Sequence, residues 1–183
     1  MLLVSMGVSV DGFIADRTGS FDWGAPDDEL FGFHLARVRE LGAVILGRRL
    51  YETMRVWETD PAMRGNAAES EFADVWTALP KVVFSRTLDR VEGNARLATG
   101  SVSDEVARTL AETDREVEIG GAMLAGQAIE AGLVDEFRIF RYPVIVGGGA
   151  PLLPHIADPI ALDLIESRVF SGRVVYERYR RAA

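Results

Sequence analysis

An α/β fold with a mostly parallel central sheet and an antiparallel C-terminal hairpin is what this chain predicts, and three observations carry that expectation. Short apolar, β-branched runs alternate with segments whose apolar residues recur at helical spacing. Two of the runs end in glycine just before a helical segment, at Gly47 and at Gly120-Gly121, as crossovers between parallel strands do. The last two runs are joined at Ser171-Gly172, which reads as a hairpin.

In chain order, Met1 to Val10 reads as a strand that stops at the turn signal Asp11-Gly12, with Phe13-Ile14-Ala15 continuing briefly. Asp16 to Pro26 is a loop carrying Phe21 and Trp23. From Asp27 to Arg39, Leu30, Phe31, Leu35 and Val38 predict a helix, with Asp27, Asp28 and Glu29 in the first turn where its dipole favours negative charge. Ala43 to Leu46 is a short buried strand, and Gly47 ends it before a helical stretch through Met54. Trp57 to Asn66, with Pro61 and Gly65, reads as a long excursion, followed by a helix from Glu69 to Leu79 and a strand from Lys81 to Ser85. Asp104 to Glu112 is helical with Ser103 as its expected cap, and Glu116 to Ile119 is again a strand. An apolar helix from Ala122 to Ala131 closes at Gly132. Phe137 to Val146 reads as a long strand ending in Gly147-Gly148-Gly149, and the alternating strands Ile160 to Phe170 and Val174 to Tyr179 form the hairpin.

Composition narrows the function classes. The 183 residues suit one domain over 1–183, which buries roughly 70% of its unfolded surface without a covalent staple. With no Cys there is no disulfide, thiolate nucleophile or Cys-based metal centre, and two histidines, His34 and His155, are too few for a three-His site, so no metal is expected. The net charge of −8 argues against a nucleic-acid partner. No apolar run is long enough to span a membrane, and the N-terminus lacks the basic segment of a signal peptide, so the expectation is a cytoplasmic protein. Lys81 is the sole lysine, which a GC-rich genome explains more simply than function does.

Three groups of residues point to chemistry. At the junctions Gly47 and Gly120-Gly121, glycine lets a pyrophosphate approach the backbone, and the following helix offers free N–H groups. Each glycine alone is more simply a tight turn. The pair in one small sheet suggests a shared dinucleotide site, although the G-x-G-x-x-G fingerprint is absent. Arg48, Arg49 and Arg86 follow strand ends, where an arginine can clamp a 2′-phosphate with Ser85 as a hydrogen-bonding partner. Asp28 is the candidate acid, since a carboxyl in an apolar pocket can hold and deliver a proton; helix-dipole compensation is the rival reading, and it fits Asp27 and Glu29 equally well. Trp23, Phe31 and Trp57 are candidates to line a pocket for a flat heterocycle, or else are core.

The ordered motifs resemble a known group. Val4-Ser5-Met6-Gly7-Val8-Ser9-Val10-Asp11-Gly12 with Trp23-Gly24-Ala25-Pro26-Asp27-Asp28 resembles the opening of the dihydrofolate reductase-like superfamily. Val44-Ile45-Leu46-Gly47-Arg48, Val82-Val83-Phe84-Ser85-Arg86 and Glu118-Ile119-Gly120-Gly121-Ala122 resemble its later strand ends. Ala131-Gly132-Leu133-Val134-Asp135-Glu136-Phe137 and Pro143-Val144-Ile145-Val146-Gly147-Gly148-Gly149 are similar to the C-terminal reductase domain of the bifunctional riboflavin-biosynthesis deaminase/reductase. The resemblance implies a three-layer sandwich of dihydrofolate reductase-like fold. It also implies an NADPH site at Gly47, Arg48, Ser85, Arg86, Gly120, Gly121 and Ala122, with Asp28 as the acidic pocket residue. Ala122 replaces the usual third glycine, Leu50 a polar residue, and no Thr occurs in Ile139-Phe140-Arg141, so dihydrofolate itself is not implied as the substrate.

The expected activity is NADPH-dependent reduction of a small heterocycle, resembling 5-amino-6-(5-phosphoribosylamino)uracil reductase or dihydrofolate reductase. The rivals are a non-catalytic nucleotide- or drug-binding protein on the same fold and a reductase of another pterin or carbonyl compound. The partners expected are a small-molecule substrate and a second copy in a homodimer, with no nucleic acid and no membrane.

Overall fold

A computed structural model describes residues 1–182. Strand β1 (Leu2–Val8) leads to a short β2 (Phe13–Ala15), a 3₁₀ turn (Asp22–Gly24) and helix α1 (Asp28–Val38). Next come β3 (Leu41–Gly47), α2 (Arg48–Met54), α3 (Val56–Thr59) and α4 (Ala67–Ala78). The chain continues through β4 (Lys81–Phe84), β5 (Ala95–Leu97), α5 (Val102–Ala111), β6 (Glu116–Gly120), α6 (Ala122–Glu130) and β7 (Glu136–Arg141). It ends with β8 (Ala150–Pro151), β9 (Leu162–Val169) and β10 (Val175–Arg181).

Eight strands form one sheet in the order β5-β4-β3-β6-β1-β7-β10-β9. The first six are parallel to one another; β10 is antiparallel to both β7 and β9. This is the mostly parallel sheet with an antiparallel hairpin that the sequence predicts. Period-two alternation sends successive residues to opposite faces. Leu3, Val44, Leu46 and Val83 pack with Leu35, Phe72 and Trp76 of α1 and α4. Leu2, Val4, Ile45, Val82 and Ile119 pack with Val106 of α5 and Leu124 and Ile129 of α6. Helices therefore cover both faces, as a parallel sheet requires. Among the described residues no helix is long and apolar enough to cross a membrane.

The larger differences from the sequence reading lie at α5, β7, β5 and the excursion before Asn66. Helix α5 starts at Val102 and is capped by Ser101, not Ser103. Ser101 and Asp104 form a reciprocal capping box. Strand β7 ends at Arg141 rather than Val146, because Pro143 has no N–H to give and Val144 turns back to bond the Tyr142 carbonyl. Edge strand β5 was unread, having just three residues. The excursion before Asn66 holds α3 and a 3₁₀ turn, Pro61–Arg64. Buried Lys81 anchors it by pairing with Glu58 at 3.1 Å while donating to the Trp76 and Leu79 carbonyls. The sole lysine is thus a structural residue.

Candidate active site

The strand order places β3 beside β6, so the two glycine junctions lie side by side at the carboxyl end of the sheet. Gly121 has φ +99°, a backbone state that a side chain strains, and a Cβ built there would stand 3.7 Å from the Cα and N of Gly47. A Cβ at Gly120 would fall 2.5 Å from Leu50 Cδ2. The two backbones thus border one groove that any side chain would begin to fill. Helix α6 begins at Ala122 with no side-chain cap, which leaves its first amides facing that groove without an internal partner.

Arg48 lies on the rim. Its Nε donates to Glu52 Oε1 at 2.8 Å and its Nη1 to Thr87 Oγ1 at 2.6 Å, so the guanidinium is already oriented across the cleft between α2 and the loop after β4. Ser85 makes that loop: its Oγ accepts the amides of Thr87 (3.1 Å) and Leu88 (3.0 Å) and stands 3.5 Å from Thr87 Oγ1. Arg49 and Arg86 are exposed and have no acidic partner among the described residues. A cavity of about 490 Å³ opens next to this rim, lined by Tyr51, Arg55, Thr87 and Arg90 among others. These residues fit a dinucleotide: backbone without Cβ at the groove, uncapped amides beside it, and cationic side chains at one end.

Across the sheet, the first turn of α1 separates its three acids. Asp27 is the cap, accepting the Leu30 amide at 2.9 Å and the Ser171 hydroxyl at 3.0 Å. Glu29 ties down the tip of the β9–β10 hairpin through the Ser171 amide at 2.9 Å and Arg168 at 2.5 Å, which holds its carboxyl below the ordinary range. Asp28 makes neither kind of contact among the described residues. Dipole compensation therefore fails to describe the three alike, since two are structurally engaged and one is free. Asp28 is exposed on the first turn of α1, however, and not sunk in the apolar pocket that was expected.

The three aromatic candidates part company. Trp23 stands edge-on to Tyr142, ring centroids 5.7 Å apart, in a cluster with Leu30, Phe140 and Tyr176. Phe31 and Trp57 instead meet each other at 5.7 Å and both pack on Phe72, at 5.6 Å and 4.5 Å, between α1, α3 and α4. Sequence reasoning missed Tyr142, which lies over Gly7 and closes the space beside Trp23. The signal that could have found it is Tyr142-Pro143, an aromatic residue at a strand end that a proline fixes. His34 of α1 is half-buried against Phe140, ring centroids 4.4 Å apart, and desolvation pushes it down to about 4.

A family model described as the RibD C-terminal domain matches residues 1–176. The chain is 29% identical over 176 residues to the uncharacterized protein YyaP of Bacillus subtilis (strain 168), covering 95% of this chain and 91% of that protein. Among solved structures, a candidate riboflavin biosynthesis protein from Shewanella sp. PV-4 superposes with a TM-score of 0.80 at 25% identity, covering 100% of this chain and 99% of the other. Dihydrofolate reductase from Enterococcus faecalis, solved with NADP(H), gives a TM-score of 0.65 at 16% identity and covers 100% of this chain and 97% of its own; it shares the fold.

Proposed function

Since the chain belongs to the family of RibD C-terminal domains, we propose that it is a reductase that uses NADPH on a small flat heterocycle, of the aminouracil or pterin type. The observation that carries this reading is the contact of Gly47 with Gly121, which joins two strand ends into one groove. In this reading Gly47, Gly120, Gly121 and Ala122 hold the coenzyme's pyrophosphate, while Arg48, Ser85 and Arg86 take the adenosine end and its 2′-phosphate. NADPH supplies a hydride when bound. The chain's own work is to orient and to move a proton: the cluster around Trp23 walls the heterocycle, and Asp28, free of structural duties, delivers a proton or orders the water that does.

The test is a fluorescence titration with NADPH and NADH, followed by turnover with dihydropterin and aminouracil substrates. NADPH should bind tighter than NADH. Asp28→Asn should lower turnover by roughly 10²–10⁴-fold with NADPH affinity unchanged. Equal or absent binding of both nucleotides would defeat the coenzyme assignment, and unchanged turnover would remove Asp28 from the chemistry.

The same proposal includes a homodimer. Strand β9 is a sheet edge exposed along its whole length, with Leu162, Leu164, Ile165 and Val169 between 38% and 69% exposed. Such an edge pairs readily with another strand. Antiparallel pairing of two copies centred on Ser167 would set Glu166 of each opposite Arg168 of the other. Light scattering should give twice the chain mass, and Ile165→Lys should halve it; a wild-type monomer would end this part of the proposal.

A further inference from the structure

Tyr142 is 6% exposed, yet its hydroxyl accepts and donates no hydrogen bond among the described residues. It is not sealed away either, for the phenol oxygen is absent from the fully enclosed polar atoms that lack partners. Trp23, edge-on to the same ring, does have an enclosed Nε1–H without an acceptor. Buried donors without acceptors are rare in folded proteins, because each forfeits its hydrogen bond to water. One such enclosed donor, beside a phenol O–H that opens to the surface and has no protein partner, marks a place where an acceptor can enter.

The position is specific. Tyr142 follows the end of β7, and Pro143 fixes the chain there. Its ring lies on Gly7 of β1, where a Cβ would come within 3.0 Å of Cε2, and Leu30 of α1 packs in the same cluster. The hydroxyl is therefore held between β1, the Trp23 turn and the first turn of α1, the turn that carries free Asp28. Burial and the nearby charge of Asp27 push the phenol up to about 12, so at neutral pH it stays a neutral donor.

We infer that Tyr142 reads a carbonyl oxygen on the substrate, donating its O–H to a flat oxo-heterocycle held between Trp23 and Asp28. This rests on the reductase reading above and adds what that reading lacks, a preference for a ring oxygen acceptor over a ring amino group. A phenol donates to a carbonyl oxygen, whereas a ring amino group can at most donate to the phenol oxygen and leaves its O–H without an acceptor. A site built to satisfy a particular hydrogen-bonding group discriminates strongly against an analogue without it.

The experiment compares pterin, with its 4-oxo group, and 2,4-diaminopteridine by calorimetry, with NADPH present and without it. The wild type should bind pterin about tenfold more tightly, as loss of one buried hydrogen bond implies. Tyr142→Phe keeps the ring on Gly7 and should lose that preference through weaker pterin binding alone, with NADPH affinity and melting temperature unmoved. A variant that keeps the preference, or loses both ligands alike, overturns the inference, as does a wild type that binds neither pteridine. Absent NADPH binding with the pteridine preference intact would instead fail the reductase reading and leave Tyr142's role standing.

Discussion

Where the coenzyme is proposed to lie, the chain presents backbone: Gly47 and Gly121 approach until a Cβ on Gly121 would touch Gly47, at 3.7 Å, and arginines stand on the rim. Where the heterocycle is proposed to lie, it presents packed side chains, with Trp23, Tyr142, Phe140 and Leu30 in one cluster beside the acids of α1. The two ends sit on neighbouring strands of the same sheet and are built by opposite means. In a backbone-built site atoms beyond a Cβ meet main chain, which cannot rotate out of the way as a side chain can. A side-chain-built site can repack, so its responses to substitution are graded.

The steepest way to break this contrast is Gly121→Val. At φ +99° a β-branched residue is strained by about 1–2 kcal/mol or more, and its branches would fill the gap to Gly47. NADPH affinity should fall roughly 100-fold, an expectation built from that strain plus the lost approach. Circular dichroism should still show a folded protein. If NADPH affinity changes less than threefold in a folded variant, the glycine contact is not where the coenzyme lies.

A second test asks whether the seat of α1, which carries Asp28, responds to pH. His34 of α1 is pushed down to about 4 by burial, while burial pushes Glu118 of β6 up to about 7 against the pull of Arg138. Their slopes oppose each other. Between pH 6.5 and 4 the unfolded chain binds a proton at His34 that the fold refuses, so stability falls as pH drops. Between pH 4.5 and 7 the fold keeps a proton on Glu118 that the unfolded chain releases, so stability falls as pH rises. Glu118→Gln should therefore raise the melting temperature at pH 8, by roughly 4–8 °C for a contribution of about 2 kcal/mol, with little change at pH 5. His34→Phe should flatten the acid limb. Thermal melts from pH 4.5 to 8 decide it, and parallel profiles for the wild type and Glu118→Gln would refute the assignment. NADPH affinity should follow neither residue, since both lie outside the glycine groove.

The contrast also explains what was legible in the sequence. Gly47 and Gly120-Gly121 could be read because strand-glycine-helix is a local pattern, and their meeting followed once β3 and β6 became neighbours. The core alternated as expected, since period two within each strand fixes which face a residue takes. Tyr142 could not be read in that way. Its environment comes from Gly7, Trp23 and Leu30, which are remote in sequence, and nothing local separates a strand-end tyrosine in a site from one in a core. Asp28 was named as the candidate acid from residue chemistry and again through the resemblance, but the composition of the first turn did not distinguish it from Asp27 and Glu29. What separates them is contact with Ser171 and Arg168, some 140 residues away in sequence. The premature end of β7 was visible in principle at Pro143, but the apolar run beyond it masked the break.

Those hairpin contacts supply the smallest expected effect. Ser171 bridges the two engaged acids, its hydroxyl to Asp27 and its amide to Glu29, while Arg168 holds Glu29 from the strand. Gly172 leaves no room for a side chain, since a Cβ there would lie 2.8 Å from Asp27 Oδ2. The tip therefore rests directly on the helix turn that carries Asp28. Ser171→Ala removes one exposed hydrogen bond, retains the amide bond and Arg168, and leaves Asp27 capping Leu30, so it should cost about 0.5–1 kcal/mol, or roughly 1–4 °C. If the hairpin serves as a brace for the turn, turnover should fall about two- to threefold while NADPH affinity holds, a graded response of the kind that repacking allows. A larger loss of turnover than Asp28→Asn produces would show that the brace, rather than the free carboxyl, is what the substrate end depends on.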